Sequence, residues 1–64
     1  MVEYQKCLEA YILYVEYNKT LREVSRELMI SPNTVKRYLD KLAYINDEMY
    51  QEYKRVSQKR RRNK

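Results

Sequence analysis

Apolar residues recur at helical spacing through most of this sequence. Over about residues 4–17 they form two rows on opposite sides of one predicted helix. The first row consists of Tyr4, Leu8, Tyr11, Ile12 and Val15. The second row consists of Ala10, Leu13, Tyr14 and Tyr17. We expect the first row to face the core, and the second row either to be covered by the last helix or to form a dimer or partner surface.

A second predicted helix begins at Thr20. Asn18 and Lys19 interrupt the first apolar pattern, and Glu23 follows Thr20 by three residues, which is the spacing of a capping box. The apolar positions of this helix are Leu21, Val24 and Leu28. Ser25 lies among them and is small enough to let another helix approach closely.

A third predicted helix begins at Ser31 and Pro32 and runs to about Tyr44. A serine at this position accepts from free amides, and a proline at the first helical position loses no hydrogen bond. The inner row of this helix consists of Val35, Tyr38, Leu39 and Leu42. Its outer side carries Asn33, Lys36, Arg37, Asp40 and Lys41.

A fourth predicted helix begins after Asn46, with Asp47 and Glu48 in the first turn, where the helix dipole favours negative charge. Its apolar row consists of Met49, Tyr53 and Val56, with Tyr50 beside it. No apolar residue follows Ser57, so residues 58–64 are predicted to be a flexible basic tail. The sequence therefore predicts an all-α fold. It is a small bundle of about four helices over residues 1–57, with a helix-turn-helix at about residues 20–44.

Composition argues against several functional classes. The 64 residues form one domain at most, and they include no histidine, no glycine and one cysteine. The commonest general base, the usual zinc ligand sets and any glycine-rich phosphate loop are therefore missing. We expect no enzymatic activity, no cofactor and no bound metal. Cys7 has no internal disulfide partner, and we expect a small buried apolar residue rather than a redox switch.

The sequence has neither a charged leader followed by an apolar stretch nor a long apolar run. We therefore expect no signal peptide and no membrane span. A lone cysteine fits a reducing compartment. The expected location is the cytoplasm, in association with the nucleoid.

Positive charge is concentrated at the C-terminal end. Residues 1–53 include seven basic and nine acidic residues, whereas residues 54–64 include seven basic residues and no acidic one. The seven are Lys54, Arg55, Lys59, Arg60, Arg61, Arg62 and Lys64. A basic block on an acidic body is commonly an arm for nucleic acid or another acidic surface. We expect these seven residues to contact DNA phosphates.

The second and third predicted helices are joined by only a few residues, and amide and cationic groups lie near the start of the third. This is a helix-turn-helix pattern. In the major groove, asparagine pairs with adenine, and arginine or lysine donates to guanine. We expect base contacts from Asn33, Lys36 and Arg37. Further phosphate contacts are expected from Arg22, Ser31, Thr34 and Lys41.

The segment from Leu21 to Leu42, LREVSRELMISPNTVKRYLDKL, resembles the bacterial helix-turn-helix regulators. With YINDEMYQEYKRV and the basic end, the chain resembles the stage III sporulation protein D family of small transcription factors. The resemblance implies a sequence-specific activator and repressor of sporulation genes. It also implies a third helix in the major groove and a basic end in the adjacent groove. That family prefers glycine in the turn, where this chain has Met29, which must take a left-handed conformation or change the turn.

Other interpretations stay open. The exposed polar residues of the third helix are also typical of plain helix surface, where Lys36 and Asp40 form a supporting pair. A helical adaptor would dock an acidic surface, for example on RNA polymerase, through the tail and the first helix. RNA binding is a further alternative. Membrane-surface binding is another, but residues 54–64 lack the bulky apolar face that a membrane-surface helix needs. The expected state is a monomer or a weak homodimer.

Overall fold

The computed structural model describes residues 2–62, with side chains for residues 4–60. Within that part, the chain forms four α-helices and no strand, which confirms the predicted all-α fold. The helices are α1 (Val2–Tyr11), α2 (Leu21–Leu28), α3 (Pro32–Ile45) and α4 (Asp47–Arg62). A π-helical segment, Ile12–Glu16, continues α1 without a break. Helix α3 packs against each of the other three α-helices, so it is the central element of the bundle.

The first helix ends in a widened turn. The amide of Tyr17 donates to the carbonyl of Ile12 at 3.0 Å, and the amide of Lys19 donates to the carbonyl of Leu13 at 3.0 Å. Asn18 lies between them with φ 59°, in the left-handed region that asparagine tolerates better than most residues. The π-helical segment therefore turns the chain towards α2 without a glycine.

The core is centred on a side of α1 that neighbours the expected one. The buried apolar residues are Cys7, Ala10, Tyr14, Val24, Val35, Leu39, Leu42 and Tyr53. The prediction that the first row of α1 faces the core is confirmed only in part. Tyr11 and Val15 are half-buried and pack against the core, whereas Tyr4 is 48% exposed and Ile12 is 41% exposed. Cys7 and Ala10 are small enough for α3 to pack closely on their side of the helix. The expectation that Cys7 is a small buried residue is confirmed.

The last helix covers part of the second row of α1. This was one of the two alternatives considered for that row. Tyr14 is 4% exposed, and its ring meets that of Tyr53 on α4 with centroids 5.7 Å apart. Tyr17, at the end of the same row, is 66% exposed. Coverage therefore stops before the end of the row.

Each of the three later helices begins at its predicted cap. The capping box of α2 is complete, since Thr20 and Glu23 exchange hydrogen bonds of 3.0 and 3.1 Å. The hydroxyl of Ser31 accepts from the amide of Thr34 at 3.2 Å, with proline in the first turn of α3. At the start of α4, the side chain of Asn46 accepts from an amide three residues later at 3.3 Å. These caps are local, which is why the sequence predicts them.

The turn between α2 and α3 takes the first of the two conformations considered for Met29. This residue is left-handed, with φ 59° and ψ 44°, and its amide donates to the carbonyl of Ser25. The amide of Ile30 donates to the same carbonyl at 3.0 Å. The bond from Ile30 is the 6→1 bond of a Schellman motif, and the bond from Met29 is the 5→1 bond of the simpler αL cap. Met29 is 88% exposed, so no burial offsets the steric cost of its backbone conformation.

Helix α4 is longer than the sequence predicts. The folded part was expected to end near Ser57, but α4 continues to Arg62. Cationic side chains near the C-terminal end of a helix interact favourably with its dipole. Arg60 also returns to the body of the protein, as described below. Most of the predicted tail is thus the last turns of a helix, and residues 63 and 64 lie outside the described part.

Candidate nucleic-acid interface

The outer side of α3 is exposed, as predicted. Asn33, Lys36 and Arg37, the candidate base-contact residues, are all exposed, whereas Val35 and Leu39 on the opposite side have no exposed surface. We call the outer side of α3 the recognition face and define it by Ser31, Asn33, Thr34, Lys36, Arg37, Asp40 and Lys41. Two shallow depressions on it share Thr34, Arg37 and Asp40, so the face is continuous.

The start of α3 contributes hydroxyl groups that already have partners. The oxygens of Ser31 and Thr34 lie 2.9 Å apart, and Ser31 also accepts from the amide of Thr34. Ser31 is exposed and Thr34 is half-buried. A phosphate at this end would meet the positive end of the helix dipole and the neighbouring side chains as well as these hydroxyls.

A groove between α3 and α4 adjoins the recognition face. Three tyrosines, two lysines and one arginine from α3, α4 and the π-helical segment line it, and α2 contributes a leucine. The lining residues are Tyr14, Leu21, Lys36, Asp40, Tyr50, Tyr53, Lys54, Ser57 and Arg60. We call this the α3–α4 groove. Because Lys36 and Asp40 belong both to it and to the recognition face, the two surfaces are contiguous.

Lys54 is the exposed cation that α4 contributes to this groove. Its ammonium lies 5.9 Å from the centroid of the Tyr50 ring, within the range of a cation–π contact. Tyr50 in turn packs against Tyr53, with ring centroids 6.0 Å apart. The aromatic pair supports Lys54 on the side of the protein that also presents Lys36.

Asp40 is the one carboxylate among the described residues that line the α3–α4 groove. It accepts from the hydroxyl of Tyr53 at 3.4 Å. Burial raises the pKa of Tyr53 to about 12, and the negative charge of Asp40 adds to the shift. The interpretation of Asp40 as a mere helical partner of Lys36 therefore missed its contact with α4. Spacing along one helix cannot predict this contact, because Tyr53 lies thirteen positions after Asp40 and on a different helix.

Arg55 lies apart from the other candidate phosphate contacts, although it follows Lys54 directly. Its guanidinium is 3.6 Å from the carboxylate of Glu52. It lines a separate groove with Glu16, Asp47, Glu48 and Glu52, where Tyr11, Val15, Met49 and Gln51 complete the wall. Burial and the charges of Glu52 and Glu16 raise the pKa of Tyr11. We call this the acidic groove, and we expect it to repel phosphates.

Arg60 is not part of a free arm. It is half-buried and donates hydrogen bonds to Lys19, Tyr14 and Asn18, which belong to the end of the first helix and the turn after it. This placement corrects the expectation that Arg60 belongs to a flexible tail, while its expected phosphate contact stays a prediction. Lys59 beside it is exposed, whereas the side chains of Arg61, Arg62 and Lys64 lie outside the described part.

The remaining candidate phosphate contacts, Arg22 and Lys41, are exposed. The backbone carbonyl of Arg22 accepts from the hydroxyl of Ser25 at 2.7 Å, which satisfies that buried hydroxyl. Lys41 lines the depression on the recognition face that includes Tyr38. Among the described helices, none is long and apolar enough to cross a lipid bilayer.

Comparisons of the chain with protein-family models, curated proteins and solved structures found no match. The resemblance to the stage III sporulation protein D family therefore stays a prediction. The functional argument depends on the geometry of the recognition face and the α3–α4 groove.

Proposed function

We propose that this protein is a sequence-specific, double-stranded DNA-binding transcriptional regulator. The observation that carries the proposal is the two-sided character of α3. Asn33, Lys36 and Arg37 are exposed on one side, and Val35 and Leu39 are fully buried on the other. A helix supported in this way can enter the major groove without losing any of its core packing.

The side chains at the start of α3 match the chemistry of base edges. Arg37 carries a guanidinium that can donate two parallel bonds to guanine, and Asn33 carries an amide that can both donate to and accept from adenine. Lys36 lies at the boundary with the α3–α4 groove. It is therefore within reach of either a guanine or a backbone phosphate.

Charge distribution favours one orientation on the duplex. Lys54 extends the positive surface from Lys36 along α4, whereas the acidic groove lies elsewhere on the bundle and includes Arg55. DNA approaching the recognition face would meet Lys36 and Lys54 and avoid the four carboxylates. Each phosphate neutralised contributes about 0.9 to the slope of log affinity against log salt.

The sequence resemblance is the only support for regulation of sporulation genes as the biological context. A location in the bacterial cytoplasm, in association with the nucleoid, and RNA polymerase as a protein partner are separate expectations from the sequence. A monomer on one half-site and a weak homodimer on a palindrome make different predictions for the target. The arrangement of the bound sequence therefore distinguishes them.

Selection of bound duplexes from a random pool, at low and at moderate salt, tests the proposal. A regulator enriches a defined motif that persists as salt increases, because base contacts depend on salt less than phosphate contacts do. A single asymmetric motif indicates a monomer, and a palindrome indicates a dimer. Recovery of no motif at either salt concentration would contradict sequence-specific binding.

A helical adaptor is the second candidate, favoured by the exposed aromatic residues of the first helical region. Tyr4 is 48% exposed and Tyr17 is 66% exposed. Leu13 packs against the core, so its replacement by aspartate would disturb the fold as well as a partner surface. Tyr17→Asp is the cleaner test. An adaptor loses its protein partner on this change, whereas a DNA-binding regulator keeps its affinity for the selected duplex.

A further inference from the structure

Arg60 occupies a position that differs from that of any other described cation in the basic segment. Its Nη1 donates to the carbonyl of Lys19 at 2.8 Å. Its Nη2 donates to the carbonyl of Tyr14 at 3.2 Å and to Oδ1 of Asn18 at 2.6 Å. All three acceptors lie more than forty residues earlier in the chain. The side chain thereby joins the end of α4 to the end of the first helical region.

The acceptors explain why an arginine is suited to this place. Carbonyl groups at the C-terminal end of a helix lack donors from within the helix and carry its negative dipole end. The widened turn of the π-helical segment leaves the carbonyl of Tyr14 facing Arg60, and the left-handed Asn18 brings a side-chain oxygen beside it. A planar guanidinium can donate to several acceptors at once, which a lysine ammonium does with less fixed geometry.

Tyr14 adds an aromatic contact to these hydrogen bonds. The central carbon of the Arg60 guanidinium lies 4.3 Å from the centroid of the Tyr14 ring, which is itself 4% exposed. The hydroxyl of Tyr14 donates to Ser57 at 3.4 Å, one turn earlier on α4. The ring is thus held between two successive turns of α4, so the direction of that helix near its end is fixed.

We infer that Arg60 is a positioning residue for the DNA-binding surface and not a phosphate contact. Lys36 and Lys54 line the same groove as Arg60, so the direction of α4 sets their separation. The turn that Arg60 contacts also leads directly into the cap of α2 at Thr20. This inference rests on the proposed DNA-binding function, while the structural contacts of Arg60 stand independently of it.

A double-mutant cycle between Asn18→Gly and Arg60→Gln tests the inference. Asn18→Gly removes the oxygen that Nη2 contacts, changes no charge and keeps the left-handed conformation accessible. We expect it to weaken binding to the selected duplex by about 3- to 10-fold, with a non-additive effect in the double variant. Met29→Gly is the matched control, since Met29 is the other described left-handed residue and is 88% exposed. It should leave the affinity unchanged within about two-fold.

Arg60→Lys and Lys59→Gln distinguish positioning from direct contact. A positioning role predicts that Arg60→Lys, which keeps the charge, loses nearly as much affinity as Arg60→Gln. A phosphate contact predicts that Arg60→Lys keeps most of the affinity. It also predicts that Arg60→Gln reduces the salt slope by about 0.9 and combines additively with Asn18→Gly. Lys59 is the exposed neighbour of Arg60. Whichever role Arg60 has, the effect of Lys59→Gln on DNA affinity should be additive with that of Asn18→Gly.

All affinities are measured well below the unfolding temperature of each variant, which is recorded separately. If Asn18→Gly and Arg60→Gln lower only the unfolding temperature and leave DNA affinity unchanged, the contacts are merely structural and the inference is overturned. Additive effects in the cycle overturn it as well. Failure of the unaltered protein to bind any duplex would instead refute the proposed function. In that case, non-additive changes in the unfolding temperature for Asn18→Gly and Arg60→Gln would still demonstrate the contacts of Arg60.

Discussion

The hydroxyl of Tyr53 lies 3.4 Å from Oδ1 of Asp40 and so connects α4 to the recognition face of α3. Tyr53 is 4% exposed, and Asp40 is exposed to solvent. A neutral phenol can donate to the carboxylate, whereas a phenolate there would be both buried and next to a like charge. The contact therefore depends on the protonation state of Tyr53.

Stability should fall as the pH rises from about 10 to about 12. Burial and Asp40 raise the pKa of Tyr53 to about 12, from the ordinary value of 10.0 that applies in the unfolded chain. A pKa that is higher in the folded state stabilises the fold below the unfolded value, and this contribution is lost as the pH rises through the folded value. Titration by phenolate absorbance should show an ionisation of Tyr53 close to its raised pKa of about 12.

Asp40→Asn should lower the pKa of Tyr53 in the same titration, because it removes the neighbouring negative charge. Glu48→Gln, which removes a carboxylate of the acidic groove, should leave the late-ionising tyrosine unaffected. A Tyr53→Phe variant identifies the transition, since it lacks that phenol. If that transition persists in Tyr53→Phe, the assignment to Tyr53 is wrong.

Asp40→Asn should also strengthen DNA binding that does not depend on sequence. Asp40 is the one carboxylate among the described residues that line the α3–α4 groove, and its charge opposes phosphate binding there. We expect a gain of roughly 2- to 5-fold for a random duplex, diminishing as salt screens the interaction. Electrophoretic or anisotropy titrations over a range of salt concentrations measure it. An unchanged or weaker affinity at low salt contradicts the placement of phosphates near this groove.

Lys54 and Arg55 should behave differently although they are adjacent. Lys54→Gln should reduce the slope of log affinity against log salt by about 0.9, since Lys54 lies in the α3–α4 groove. Arg55→Gln should leave the slope unchanged, because Arg55 is paired with Glu52 and lies in the acidic groove. The two variants remove the same charge. Equal slopes for both would mean that only total charge matters, and not its position.

Loss of the capping box at the start of α2 should lower stability measurably. Thr20→Ala removes the hydroxyl that accepts from the amide of Glu23, with an expected cost of about 0.5–2 kcal/mol. Glu27→Ala is a suitable control, because the ion pair of Glu27 with Lys19 is long, at 3.9 Å, and Glu27 itself is exposed. Such pairs contribute about 0–1 kcal/mol. Denaturant unfolding measures the free energy of unfolding of each variant. A larger loss for Glu27→Ala than for Thr20→Ala would contradict the role of the cap.

The elements that the sequence predicts well are those with local causes. Thr20, Ser31 and Asn46 satisfy amides within three residues, so each helix start is visible in the pattern. The inner row of α3 is also predicted correctly, because Val35, Leu39 and Leu42 recur at helical spacing on one side of that helix and all three are buried. Helix geometry alone predicts that Lys54 and Arg55 lie on different surfaces, since adjacent residues point to different sides of a helix.

The features that the sequence does not reveal depend on distant contacts. The first helix has apolar residues on both sides, and the small Cys7 and Ala10 decide which side α3 approaches. Arg60 resembles its basic neighbours, and its acceptors are mainly backbone carbonyls more than forty residues away. No residue pattern identifies such carbonyls. The extension of α4 beyond Ser57 is also hidden from the sequence, because the hydrogen bonds of Arg60 to distant residues hold its last described turns against the body of the protein.

The most direct test of the recognition face compares Arg37→Ala with Arg26→Ala on a selected duplex and a scrambled one. Both changes remove an exposed arginine, but Arg26 lies on α2 in a depression with Lys19, Glu23, Glu27 and Met29, outside the recognition face. Arg37→Ala should reduce the ratio of the two affinities by about 5- to 150-fold, the equivalent of one good base contact. Arg26→Ala should preserve the ratio. If Arg37→Ala discriminates between the duplexes as well as the unaltered protein does, α3 does not read the bases through Arg37 and the central claim fails.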